Sequence, residues 1–293
     1  MGTARWVIVG ARGRVGTGLL AALDGQPVRA WTRDDADLTD RDRVLTTLAA
    51  IRAESDDPIF CVNAAAIADV DAAELDPQTA HLVNARAPGW LAEGLGAADL
   101  LVHLSTDYVF GGGSSNGQPY SPYDEEAPTA PLSVYGTTKR DGEKAVLATR
   151  PDSYVVRTSW VFDAGKPSFV TRFRDRLLAG DSVDAVTDQV SRPTATPDLV
   201  SGLLALVTRR PDPGIYHCTN SGQASRYNVA CAVAADLGAD PALVRAIRTN
   251  QAPSRPAARP AYSVLGMRRW LEAGLPEPRS WRHGLRELLL PDP

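Results

Sequence analysis

The sequence is poor in cysteine, histidine and long apolar runs, and it has no surplus of positive charge. Its three cysteines, Cys61, Cys218 and Cys231, are odd in number and form no CxxC pair, which reads as reduced thiols. The four histidines show no metal spacing. His81 and His103 are read as packing or surface residues, and no metal site is expected. No apolar run approaches the roughly 18 residues of a membrane span. Lysine and arginine total 31 against 35 acidic residues, a net charge of −4, and the sequence pI is near 5.6. Without a basic field, non-specific nucleic-acid binding is disfavoured. Met1 to Trp6 runs straight into a strand-like stretch, so no signal peptide is expected, and the reduced thiols then suggest a cytoplasmic setting.

What is present is the composition of a folded enzyme. Hydrophobic residues are 44% and charged residues 23%, which excludes a mostly disordered chain, a collagen-like chain and a coiled coil. A chain of 293 residues fits one large domain or two coupled ones. Arg5-Trp-Val-Ile-Val-Gly10 reads as a buried strand, and Val15 to Leu23 has helical spacing. Strands are expected near Val28–Trp31, Pro58–Val62, Leu100–Leu104 and Ser153–Arg157. Helices are expected from Thr39 or Asp40 through Ile51 and from about Pro77 to Leu95. This alternation predicts an α/β fold, a Rossmann-type doubly wound parallel sheet covered on both faces. After about Gly165 proline becomes frequent and the alternation is lost. Pro197–Arg209 still reads as a helix and Gly214–Cys218 as a strand that rejoins the sheet. The expected division is therefore 1–163 with 196–218 for dinucleotide binding, and 164–195 with 219–293 as a smaller, irregular C-terminal substrate lobe. Gly111–Gly117 is low in complexity and expected as a mobile surface loop.

Gly10-Ala-Arg-Gly13-Arg-Val-Gly16 joins the first strand to the first helix. Glycines at this spacing allow a tight turn and close approach of a diphosphate to a helix N-terminus. The spacing is GxxGxxG rather than GxGxxG, and its weight comes from its place in the first βα turn. An acidic residue ending the second strand would favour NAD, but Trp31-Thr-Arg33 stands there. Arg33, with Arg12 and Arg14 nearby, suits a 2′-phosphate and favours NADPH, with NADH still open because Asp34 and Asp35 follow at once. Asp37-Leu38 is placed either for adenine contact or as an acidic helix start. Asn63-Ala-Ala-Ala66 ends the third strand with residues small enough for a cofactor to approach, or for close packing. Ser105-Thr-Asp107 follows the fourth strand, where ligands of open α/β sheets bind. Tyr135 and Lys139, at i and i+4, share a helix face. A lysine beside a phenol would lower its pKa and let it exchange a proton with a carbonyl.

Together these residues resemble the extended short-chain dehydrogenase/reductase superfamily, and within it the dTDP-4-dehydrorhamnose reductase family. The resemblance is carried by Gly10–Gly16, Asn63–Asp71, Ser105-Thr-Asp-Tyr-Val-Phe110 and Tyr135-Gly-Thr-Thr-Lys139 with Gly142-Glu143. It continues through Arg157-Thr-Ser-Trp-Val-Phe162, Asp188-Gln189, Arg192-Pro-Thr194 and Arg259–Leu265. It implies a reductase that delivers hydride from NAD(P)H to the 4-keto carbon of a nucleotide-linked 6-deoxysugar. By position it implies Tyr135 as proton donor, Lys139 as its partner, and Thr106 and Asp107 as substrate contacts. Trp160 would contact the sugar, with Arg192 and Arg259 as candidates for the diphosphate. Gly13 to Val15 and Ala64, Ala65 and Ala66 would contact the cofactor. The longer glycine-rich loop after Phe110, the arginines in the glycine turn and Tyr262 depart from the family pattern and leave the sugar open. Two alternatives stand beside the reductase: an epimerase of the same superfamily, and a non-catalytic NADP-binding subunit. Whether the chain pairs as a homodimer is open.

Overall fold

The computed structural model describes residues 5–113 and 120–290. The chain begins β1 (Arg5–Val9), α1 (Arg14–Ala22), β2 (Val28–Trp31), α2 (Arg41–Ala53) and β3 (Ile59–Asn63). Two short helices, α3 (Val70–Leu75) and α4 (Pro77–His81), a π turn over Leu82–Arg86 and α5 (Ala87–Gly94) lead to β4 (Leu100–Thr106). A 3-10 turn, Asp107–Val109, is followed later by α6 (Val134–Thr149) and β5 (Tyr154–Thr158). Next come β6 (Val161–Phe162), α7 (Phe169–Leu178), β7 (Val183–Val186), β8 (Val190–Ser191) and β9 (Thr194–Ala195). Helix α8 (Thr196–Arg209) then leads to β10 (Gly214–His217). The chain closes with β11 (Ala224–Ser225), α9 (Arg226–Leu237), β12 (Val244–Ile247), α10 (Arg268–Glu272) and α11 (Trp281–Leu289).

Six strands form one sheet in the order β10-β5-β4-β3-β1-β2, every pair parallel. The chain moves outward from β1 to β2 and then reverses to β3 on the other side. That reversal opens a crevice beyond the C-terminal ends of β1 and β3. Side chains alternate across each strand, yet both faces are covered, so the strands read as continuous apolar runs. Ile8, Val62, Val102 and Val156 pack with Leu19 of α1 and Leu203 of α8. Val7, Cys61, Leu101 and Val155 pack on the opposite face with Val44, Leu91 and Val146. Each such buried Val or Leu contributes about 1.5–3 kcal/mol. No helix among the described residues is long and apolar enough to cross a membrane.

A second core holds Phe162, Val170, Val183, Val229, Val233 and Leu285, drawn from chain segments on both sides of α8 and β10. Not all of the C-terminal stretch joins it. Met267, Trp270 and Leu275 pack into the sheet core beside Tyr216 and Leu203. Tyr262, Val264 and Leu265 form a third contact set with Val109, Phe110 and Tyr123.

One expectation changes in detail, and another lies partly outside the described residues. The helix expected from Pro77 to Leu95 is broken by a π turn. Pro88 has no N–H to offer the Asn84 carbonyl and its ring crowds it, so the turn widens. Gly142 faces that carbonyl, and a Cβ there would lie only 2.2 Å from it. The loop expected over Gly111–Gly117 includes residues of 114–119, which lie outside the described residues.

Candidate active site

The glycine turn is built for close contact. Gly10 has φ of +80°, and a Cβ there would lie 2.7 Å from the Ala65 backbone. A Cβ on Gly16 would lie 2.3 Å from the Gly10 carbonyl oxygen. Both positions therefore require glycine. Gly13 precedes α1, and no side chain caps that helix, so its first-turn N–H groups remain available to an anion. Val15 lies in this turn with its side chain against the sheet core.

Beside the turn runs a cavity of about 270 Å³. Gly10, Gly13, Arg33, Asp37, Leu38 and Ala64 to Ala66 all line it. The parallel register sets Val9 beside Asn63, which brings Gly10 next to Ala64. The Asn63 side chain accepts from Ala65 N–H at 3.2 Å and meets His103 Nδ1 at 3.1 Å. Asn84, in the π turn, accepts from Ile67 N–H at 2.8 Å and so fixes the far end of the alanine stretch. At the cavity lip Arg33 is exposed and reaches Asp37 at 3.3 Å. Asp37 also accepts from the Thr39 N–H and hydroxyl, which holds its carboxyl below the usual range. Asp35 turns back onto Thr32 N–H and hydroxyl. The exposed Arg12 pairs with Asp34 at 2.7 Å. Arg14 leaves the turn to meet Asp163 at 3.0 Å and the Pro167 carbonyl at 2.7 Å.

Strand β4 and helix α6 carry the residues expected to be catalytic. Ser133 caps α6 by accepting from Gly136 N–H, and Glu74 accepts from Val134 N–H at 2.9 Å. A Cβ on Gly136 would lie 2.2 Å from the Tyr108 carbonyl oxygen, so only glycine lets the helix approach the turn after β4. That approach sets the Tyr135 ring edge-on to Tyr108, with centroids 5.9 Å apart. The Thr106 hydroxyl lies close enough to the Tyr135 phenol to act on its ionisation. Burial pushes the Tyr135 phenol up, and the Thr106 contact only partly opposes it.

Here the structure corrects the expected lowering by Lys139. The buried Lys139 ammonium donates to the Leu104 carbonyl at 2.6 Å and lies 3.5 Å from His103 Nε2. A buried ammonium must satisfy its donors, and those acceptors lie beneath the strand end rather than at the phenol. Burial also brings Lys139 down to about 8, opposed by Glu143 one turn further on. Glu143 is itself locked to Arg157 by paired contacts of 2.8 and 2.7 Å and accepts from Ser105 at 2.5 Å.

Asp107 follows Thr106 and is 1% exposed. One carboxyl oxygen accepts from Ser191 at 2.8 Å and Ser263 at 2.5 Å, and the other from Thr106 at 3.2 Å. Burial still raises it to about 6. Trp160 has φ of +44°, a costly conformation for a bulky residue, and its ring meets Phe169 edge-on. Arg192 is partly buried, with Nε lacking a partner among the described residues. Arg259 spends its fork on Asp71, with two contacts of 2.7 Å. Thr106, Asp107 and Tyr135 thus come together, whereas Arg259 is engaged elsewhere.

His103, read as a packing or surface residue, is a packing residue bonded to Asn63, whereas Asn84 and Arg226 were not singled out. His103 is fully buried, and its place inside the apolar run Leu100–Leu104 was the available signal. Asn84 had no local signal, because its partners are Ile67 and Thr138. Arg226 sits at a helix start and carried no motif.

Residues 4–291 match the model of the family described as RmlD substrate binding domain. A dTDP-4-dehydrorhamnose reductase of Mycolicibacterium smegmatis is 46% identical over 97% of this chain and 84% of that protein. A probable dTDP-4,6-dihydroxy-2-methyloxan-3-one 4-ketoreductase of Streptomyces antibioticus is 45% identical, covering 97% of this chain and 94% of that one. The crystal structure of a Bacillus anthracis dTDP-4-dehydrorhamnose reductase in complex with NADP superposes with a TM-score of 0.89 at 27% identity, over 99% of this chain and 100% of that one. The chain belongs to the RmlD substrate-binding-domain family, the family of the dTDP-4-dehydrorhamnose reductases.

Proposed function

We propose that the protein is an NADPH-dependent reductase of a dTDP-linked 4-keto-6-deoxyhexose. The observation that carries this reading is the convergence of Thr106 and Tyr135 at the C-terminal end of β4, the strand next to β3, whose following residues Ala64 to Ala66 line the glycine-turn cavity. The cavity suits a dinucleotide on its own geometry, because glycines let the turn fold tightly onto Ala65 and onto itself, and the uncapped first turn of α1 leaves N–H groups for a diphosphate. Gly10, Gly13 and the first turn of α1 would hold the diphosphate, Leu38 and Ala64 to Ala66 the adenosine, and Arg33 the 2′-phosphate. When bound, the nicotinamide supplies the hydride.

The chain's own residues supply the rest. Tyr135 donates a proton to the ketone oxygen; its phenol is protonated near neutral pH even without the rise that burial causes, a rise that weakens it as an acid. Thr106 turns the hydroxyl proton that it gives to Asp107 toward the same oxygen as negative charge develops there. Lys139 places a cation on the next turn of the same helix, within the site's low-dielectric interior. Trp160 forms a wall of the sugar pocket, and Arg192 is a candidate for the diphosphate.

The test is oxidation of NADPH and of NADH in the presence of a panel of dTDP-4-keto-6-deoxyhexoses. The expected result is turnover with at least one sugar and tighter binding of NADPH than NADH, with the preference reduced in Arg33→Ala. No consumption with any sugar would overturn the reductase reading. Tighter NADH binding would overturn the cofactor assignment alone.

A further inference from the structure

Arg226 is the first helical residue of α9, directly after the Ser225 cap. Its guanidinium carbon lies 3.6 Å from the centroid of Trp160 and 3.8 Å from that of Phe169, in the wedge between the two rings. Arginine stacks well on aromatic faces, and here two of them fix the plane of the fork. Tyr108 and Asp107 lie within electrostatic reach on one side. The Nη1 nitrogen is buried and has no partner among the described residues. It makes no bond to Asp107, whose carboxyl accepts from Thr106, Ser191 and Ser263. A buried, charged donor left unpaired is costly, so an acceptor from a ligand would complete the site.

The position says which part of the ligand. Tyr108 packs on Tyr135 and follows Thr106 by two residues, so Arg226 lies at the ketone end of the pocket. In a nucleotide-linked hexose the diphosphate is attached across the ring from the C4 ketone, too far for this group. Of the two carbons flanking the ketone, C5 carries the methyl group and the ring oxygen, a weak acceptor, and C3 carries a hydroxyl. Resting on the reductase reading above, we infer that Arg226 is a specificity residue that donates to the C3 hydroxyl, so that the enzyme selects sugars bearing a hydroxyl at C3.

The experiment measures kcat and KM with NADPH for two substrates alike except for the C3 hydroxyl, on the parent enzyme, Arg226→Leu and Arg226→Lys. Hydrogen bonds to a charged group predict a parent preference of about 10- to 100-fold for the hydroxylated sugar. Arg226→Leu should lose that preference by falling on the hydroxylated sugar alone, with NADPH binding unchanged. Arg226→Lys keeps the charge without the planar fork and should retain only part of the preference. If Arg226→Leu does not fold, a preference undiminished in the lysine variant overturns the inference. Equal losses on both sugars, or a parent with no preference, also overturn it and leave the reductase standing. A parent that reduces neither sugar overturns both readings.

Discussion

Asp107 is a carboxyl closely confined by its neighbours, and its protonation should be legible in stability. Burial raises it from 3.8 to about 6. Below the unfolded value the group is protonated in both states. Between that value and about 6 the folded chain keeps a proton that the unfolded chain has released, so stability falls as pH rises through this window. The change is on the order of 3 kcal/mol. Asp107→Asn should remove this slope. Denaturant unfolding of parent and variant across the window would show it, and parallel curves would contradict the burial argument. Lys139, brought down to about 8, loses its charge as pH rises through that value. Reduction should decline over the same range in a pH profile of kcat/KM. A profile flat well above that value would mean that the ammonium is not required.

At the scale of elements, Gly136 and Gly16 decide how closely neighbouring segments approach. Gly136→Ala would put a Cβ 2.2 Å from the Tyr108 carbonyl oxygen and must push α6 away from the turn after β4. We expect kcat to fall at least about tenfold, because a small misplacement of Tyr135 from Thr106 is costly to catalysis. NADPH affinity should change little, and a variant with parental kcat would contradict this role. Gly16→Ala, by contrast, should weaken NADPH binding through the glycine turn, as a fluorescence titration would detect. These close approaches explain what was legible beforehand. Buried strands show as apolar runs whichever face each residue takes, and the return of β10 was visible in Gly214–Cys218. The glycine turn and the Tyr135–Lys139 pair were visible as spacings. The π turn was not, because it answers to Pro88 and Gly142 together, far apart in sequence. The ammonium of Lys139 was misjudged because its partner is a backbone carbonyl, which no residue type announces.

For the molecule as a whole, the sheet core extends into the C-terminal stretch. Trp270 is 1% exposed, donates to the Pro276 carbonyl at 2.9 Å, and packs on Tyr216 of the edge strand. Trp270→Ala should cost about 3–5 kcal/mol, the range for emptying an aromatic site in a packed core. It should lower the melting temperature of the dinucleotide-binding part as well as that of the lobe. A variant that destabilises only the lobe would show that the C-terminal stretch is energetically separate. Proline density hid this connection in the sequence, since irregular backbone gives no periodicity to read.

The account depends most on Tyr135 acting as the proton donor, and one substitution tests it directly. Tyr135→Phe removes the hydroxyl and keeps the ring that packs on Tyr108. With a dTDP-4-keto-6-deoxyhexose that the parent enzyme reduces, kcat should fall by about 10²–10⁴-fold while NADPH binding stays nearly intact. Near-parental turnover by Tyr135→Phe would contradict the mechanism.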